Sequence, residues 1–102
     1  MADHQQTWQL GQTVQGRLQQ LQSELWSKTF EGASGGGLVR VTADGRGLVR
    51  NVVIDRAAFE GRDADLLADL VLAAVADAQR RAHETVQAEM RKLPTAGDGD
   101  GQ

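Results

Sequence analysis

Residues 34–55 read SGGGLVRVTADGRGLVRNVVID, and the fold turns on how this stretch is understood. Gly35, Gly36 and Gly37 break regular structure, because glycine raises the entropy cost of order. Leu38 to Ala43 then alternates as a strand, with Val39 and Val41 on one side. Asp44-Gly45 predicts a tight hairpin turn whose two central residues take positive φ. Leu48 to Ile54 predicts the return strand. Its apolar set, Val49 and then Val52 and Ile54, changes parity midway, which predicts a bulge near Arg50 and Asn51. Val53 falls on the opposite face, so the hairpin is expected to be covered at least partly on both sides. The stretch offers no nucleophile, general base or metal cluster, and reads as scaffold.

Upstream, Thr29 to Glu31 predicts a short first strand with Phe30 toward the core, broken by Gly32 and the glycines that follow. From about His4 to Ser27 the pattern is helical and glutamine-rich. Val14, Leu18, Leu21 and Leu25 step by four, three and four, a heptad-like stripe. Gly11 and Gly16 weaken this helix by roughly 1 kcal/mol each relative to alanine. So narrow a stripe suits packing against another helix, of the same chain or of a partner.

Downstream, Asp55 to Arg62 reads as a connecting loop anchored by Phe59. Asp63 is placed to cap a helix N-terminus, and Asp65 in the first turn complements the helix dipole. The helix runs to about Leu93, where Pro94 ends it. Its apolar line is Leu67, Leu70, Val71, Ala74, Val75, Ala78, Ala82, Val86, Met90 and Leu93. About 30 residues at 1.5 Å each make a helix of roughly 45 Å. A compact chain of this size has a radius of gyration near 13 Å, so one helix end must project beyond the sheet. Keeping Val86, Met90 and Leu93 in line there calls for a companion, for which the N-terminal helix is the candidate. Residues 94–102, an acidic glycine-rich tail, are expected to be disordered.

Composition bounds the function. One domain of 1–93 is expected from the 102-residue length. The net charge is −3; with Asp98 and Asp100 of the tail set aside, twelve acids face eleven bases. Strong non-specific attraction to nucleic acid rests on a basic excess, so any DNA binding here must come from local clustering. There are no cysteines and only four aromatics, Trp8, Trp26, Phe30 and Phe59, so the core is mostly Leu, Val and Ala. A core so thin favours oligomerisation. No secretory or membrane-spanning pattern is present, which fits a cytoplasmic protein.

The chemistry of sites is sparse. The glycine triplet leads into a strand, whereas a phosphate-binding loop leads into a helix with Lys-Ser/Thr. His4 and His83 lack ligand spacing to one another or to a carboxylate pair. Asp55 and Asp63 have structural duties at a strand end and a helix cap. No enzyme activity, metal, cofactor or small-molecule substrate is expected.

Two blocks carry a resemblance. The first is Gly35-Gly36-Gly37-Leu38-Val39-Arg40-Val41-Thr42, Asp44-Gly45, and Val49 through Val52 to Ile54-Asp55. The second is Leu66-Leu67-Ala68-Asp69-Leu70 with Ala73, Ala74, Asp77 and Ala78. In this order and spacing the chain resembles the YbaB/EbfC family of bacterial nucleoid-associated proteins, from the first helix to Leu93. The resemblance implies an α+β fold of N-terminal helix, three-stranded antiparallel sheet and long C-terminal helix. It further implies a homodimer whose sheets form the body and whose helices project, binding double-stranded DNA in the nucleoid with little sequence preference. The chain departs from the family where glutamine fills the first helix in place of lysine and methionine, leaving Arg17 the only base before Lys28.

On that resemblance, Arg17, Lys28, Arg46, Arg80, Arg81, Arg91 and Lys92 are the candidate contacts to DNA phosphates. Arg46, at the turn, is expected to be the freest base of the hairpin. The competing reading is a solvated helix face, since Glu84 lies four residues after Arg80 and Asp77 four before Arg81. A protein-interaction dimer on the same scaffold, with weak or no DNA binding, is the alternative function.

Overall fold

The computed structural model describes residues 2–92, with side chains from position 14 onward. Leu93, Pro94 and the acidic tail lie outside the described residues. The order is helix α1 (Ala2–Ser27), strands β1 (Thr29–Ser34), β2 (Val39–Asp44) and β3 (Val49–Ile54), then helix α2 (Ala64–Arg91). The strands form one antiparallel sheet in the order β1-β2-β3. This is the α+β architecture expected from the sequence.

Strand β1 is longer than expected and runs through Gly32 to Ser34. Gly32 is buried because α2 lies directly upon it: a Cβ there would stand 2.2 Å from the Ala78 amide nitrogen and 2.7 Å from the Ala74 carbonyl oxygen. The strand therefore needs a residue without a side chain, and its glycine marks a close approach rather than a break. The break comes at Gly35–Gly37, where three successive positive φ angles (61°, 69° and 98°) turn the chain into β2.

The hairpin turn differs from the expected two-residue form. Its loop is Gly45-Arg46-Gly47, closed by Asp44 N–H to the Leu48 carbonyl and Gly47 N–H to the Asp44 carbonyl, both at 2.9 Å. The positive φ falls on Gly47, at 88°, as a three-residue hairpin requires. The Asp44 carboxylate accepts from the Arg46 and Leu48 amides at 2.9 and 3.1 Å and so stiffens the loop. The bulge is where the parity change put it. Thr42 pairs with Asn51 and Ala43 with Val49, which leaves Arg50 as the extra residue.

Val39, Val41 and Ala43 are fully buried against Ala74 and Ala78 of α2, with Ile54, Leu67, Leu70, Val71 and Val75 packed around them. Small alanines bring the helix down onto β1 and β2, and Ala82 continues the buried line. The Ser34 hydroxyl donates to the Leu70 carbonyl and ties the end of β1 to the helix. Asp63 caps α2 as expected, accepting from the Leu66 amide at 3.0 Å.

Helix α2 contacts β1 and β2, and β3 is left at the open side of the sheet. Val52 shares the inward face yet is 41% exposed, and Val53 on the outer face is 39% exposed. Among the described residues the cover expected on both faces of the hairpin is thus partial: α2 covers β2 on the inward face, while Val52 and Val53 of β3 stay open. Phe59 is also exposed rather than buried as an anchor, bordering a shallow hollow with Ala64 and Leu67; it closes a short 3₁₀ turn that the Asp55 carboxylate starts by accepting from the Ala57 amide. Between β3 and the first half of α2 lies an open apolar groove of about 530 Å³, lined by Ile54, Leu67, Val71, Leu72 and Val75.

The radius of gyration is 20.7 Å, well above the roughly 13 Å of a compact chain this long. The excess comes from the helices: α1 and α2, of 26 and 28 residues, are each about 40 Å long. They run antiparallel past the sheet as a two-helix arm, where Gln15, Leu18, Gln19 and Gln22 of α1 border one groove with Met90 of α2. Met90 of α2 thus borders α1 of the same chain, while Val14 and Leu18 of the α1 stripe remain exposed, at 57% and 41%.

Candidate nucleic-acid interface

The seven basic candidates fall into three groups. Arg80 and Arg81 lie midway along α2, where it passes the outer edge of β1. Lys28 and Arg46 lie at the sheet end of α1. Arg17, Arg91 and Lys92 belong to the arm. All seven are exposed.

The middle group is neutralised. Arg80 spans two carboxylates, with Nη2 2.7 Å from Asp77 Oδ1 and Nη1 3.0 Å from Glu84 Oε1. Arg81 Nε is 3.3 Å from Asp77 Oδ2. Two positive charges therefore meet two negative ones on successive helical turns, the i,i+3 and i,i+4 geometry that joins neighbours on a helix surface.

Asp77 does more than pair. Its Oδ2 accepts the Ala33 amide at 3.0 Å and satisfies a backbone donor of β1. That hydrogen bond, followed by those from Arg80 and Arg81, holds the Asp77 carboxyl below its ordinary value against the opposing effect of burial. The contact to β1 was not legible in the sequence. An acid one residue from Ala78, on the sheet-facing side of a helix, was the one available signal.

In the sheet-end group Arg46 is engaged as well. The Arg46 guanidinium sits over the Trp26 ring, 4.8 Å from its centroid, a cation–π contact. Arg46 thus departs from the expectation of a free turn residue: the hairpin tip folds against the last turn of α1, and the indole is the nearest partner. Arg40 pairs across the ladder with Val53, whereas bulged Arg50 stands 3.9 Å from Asp44 at a loose contact.

In the arm, Lys92 Nζ lies 3.2 Å from Glu89. Arg17 and Arg91 have no carboxylate within 4 Å among the described residues, and the same holds for Lys28. The described residues also contain no group of three or more metal-ligating side chains, and none of their helices is long and apolar enough to cross a membrane.

The chain matches the family model of the YbaB/EbfC DNA-binding family over residues 1–97. It belongs to that family. Among its relatives are nucleoid-associated proteins of Cutibacterium acnes, 44% identical over 84% of this chain and 80% of the relative, and of Moorella thermoacetica, 47% identical over 72% and 70%. Another, from Saccharopolyspora erythraea, is 41% identical over 95% of this chain and 84% of its own length. The solved structure of an uncharacterized protein of Helicobacter pylori shares the fold, with a TM-score of 0.65 at 20% identity over 83% of this chain and 99% of that one. A YbaB/EbfC member is thus built here with its seven candidate bases spread over three sites and four of them, Arg46, Arg80, Arg81 and Lys92, already engaged.

Proposed function

We propose that this protein is a cytoplasmic, nucleoid-associated homodimer that binds double-stranded DNA without catalysis, mainly through backbone phosphates and with little sequence preference. Residues 1–93 work as one domain. The observation that carries the reading is the projecting two-helix arm with Arg17 and Arg91 exposed and unpaired among the described residues. Guanidinium groups so placed reach phosphates as forked donors and position a protein without reading bases. The open flank of the sheet supports dimerisation, since Leu72 is exposed on the rim of the apolar groove and Val49 and Val52 are exposed on β3, with Val53 exposed on its outer face. Blocked by α2 through Asp77, the β1 side is the less available of the two edges.

A titration with unrelated duplexes at two or more salt concentrations tests the reading. Binding should weaken with salt on a log–log slope of about −0.9 per phosphate contact, and equally across sequences. No binding at low salt would favour the second reading, a protein-interaction dimer on the same scaffold. That reading draws on the engagement of Arg80, Arg81 and Lys92 by carboxylates and of Arg46 by Trp26.

A further inference from the structure

We propose that Asp77 is an electrostatic latch: it holds Arg80 and Arg81 against the β1 edge, and its charge sets how strongly this stretch of α2 meets nucleic-acid phosphate. The inference rests on the DNA-binding reading and deepens it by naming the residue that limits affinity.

Three donors converge on this one carboxylate. Arg80 Nη2 and the Ala33 amide occupy separate oxygens at 2.7 and 3.0 Å, and Arg81 Nε shares Oδ2 at 3.3 Å. The backbone donor matters most for the mechanism. A free aspartate on a helix surface swings with its partners, but Asp77 is fixed to a strand, and its side chain is only 22% exposed. The two arginine side chains are each 57% exposed, while their charge is spent inward on Asp77. Glu84 holds the far side of Arg80 but binds no backbone group in the same way and is 62% exposed. The latch is therefore asymmetric, with Asp77 the fixed half and Glu84 the loose half.

Phosphate must compete with this arrangement. Exposed ion pairs are weak enough to exchange, so the arginines are available to DNA at a penalty rather than withheld from it. Replacing Asp77 with Asn keeps an oxygen for the Ala33 amide and removes only the charge. The two arginines then stay on their helix with less of their charge compensated, Glu84 and, across the same hollow, Glu31 being the acids that remain.

The test compares Asp77→Asn with Asp69→Asn, an equal change of net charge on the same helix at an exposed residue without an ion pair among the described residues. Affinity for one duplex is measured across a salt series, beside thermal melts and the resonances of the Arg80 Nη and Arg81 Nε groups that donate to Asp77. Asp77→Asn is expected to bind roughly three- to tenfold tighter at low salt, with a salt slope steeper by about 0.9 for each phosphate gained. Its arginine resonances should shift toward solvent-exposed values. Asp69→Asn should change little, and adding Arg80→Gln and Arg81→Gln to Asp77→Asn should remove the gain. Glu84→Gln, which leaves the contact to β1 untouched, should give a smaller gain in the same direction. Wild-type binding that Asp77→Asn leaves unchanged, or raises no more than Asp69→Asn does, overturns the latch alone. Absence of binding by every variant overturns the DNA reading and the latch with it.

Discussion

The Gly45 amide donates to the Trp26 carbonyl at 3.0 Å and fastens the tip of the β2–β3 hairpin to the last turn of α1. The contact is close enough that a Cβ on Gly45 would stand 2.1 Å from the Leu25 carbonyl oxygen and 2.8 Å from the Trp26 Cα. On the other side of the loop, Gln79 of α2 donates to the Gly47 carbonyl at 2.9 Å. The turn thus joins both helices of the arm to the sheet.

Gly45→Ala should therefore destabilise the protein by about 1–3 kcal/mol, the cost of forcing atoms into packed space. Urea unfolding followed by tryptophan fluorescence reads this. Arg46→Ala, which removes only the contact with Trp26, should cost about 0.5–1 kcal/mol. A Trp8→Phe background isolates the Trp26 signal. Equal effects for the two variants would show that the backbone approach at Gly45 is not what holds α1.

Two further glycines should respond with opposite signs. Gly32→Ala drives a methyl against the α2 backbone and should cost about 1–3 kcal/mol or prevent folding. Gly16 has nothing within 4 Å of a built Cβ and lies inside α1, so Gly16→Ala should stabilise by roughly 1 kcal/mol. Thermal melts of the pair check this. A stabilising Gly32→Ala would mean that α2 sits farther from β1 than described.

Acid should loosen α2 from β1 through Asp77. Its carboxyl titrates below the ordinary aspartate value when folded, because the Ala33 amide and the two arginines favour the anion. The unfolded state then binds the proton more readily. Stability from this group is complete above the unfolded aspartate value of about 3.9 and is lost as pH falls through the lower folded value. Stability measured against pH in urea should fall below about pH 4, and the fall should be shallower in Asp77→Asn. Identical profiles would remove Asp77 as a source of the acid sensitivity.

Dimerisation should be sensitive at the open flank. Leu72 is 68% exposed on the rim of the apolar groove, and Val52 lies on the uncovered part of β3. Leu72→Arg or Val52→Asp should leave the chain folded while weakening self-association by at least about tenfold, since a buried unpaired charge is costly. Sedimentation across a concentration series checks it. Unchanged association would move the interface elsewhere, to the arm.

Much of this was readable from local pattern. The heptad-like stripe of Val14 to Leu25, the alternation of Val39 and Val41, the parity change at Arg50 and the cap at Asp63 all act over a few residues, and each led to the element observed. The i,i+4 partners of Arg80 and Arg81 were readable for the same reason, because helical spacing alone brings them together. Residues 34–55 supplied the β2–β3 hairpin and, together with residues 66–78, the family.

Tertiary structure decided where those elements meet. Whether Gly32 breaks a strand or admits a helix depends on where α2 lands, and no spacing within β1 carries that information. The same holds for Gly45, whose expected positive φ went to Gly47 once the turn had to fit beneath α1. Arg46 was occupied by Trp26, twenty positions earlier, and Asp77 was bound to Ala33, forty-four positions earlier. Sequence determines charge and local shape through neighbours a turn or a pleat away. Which bases stay available to a phosphate is set by contacts across the sheet and between helices, and those exist only once the chain has packed.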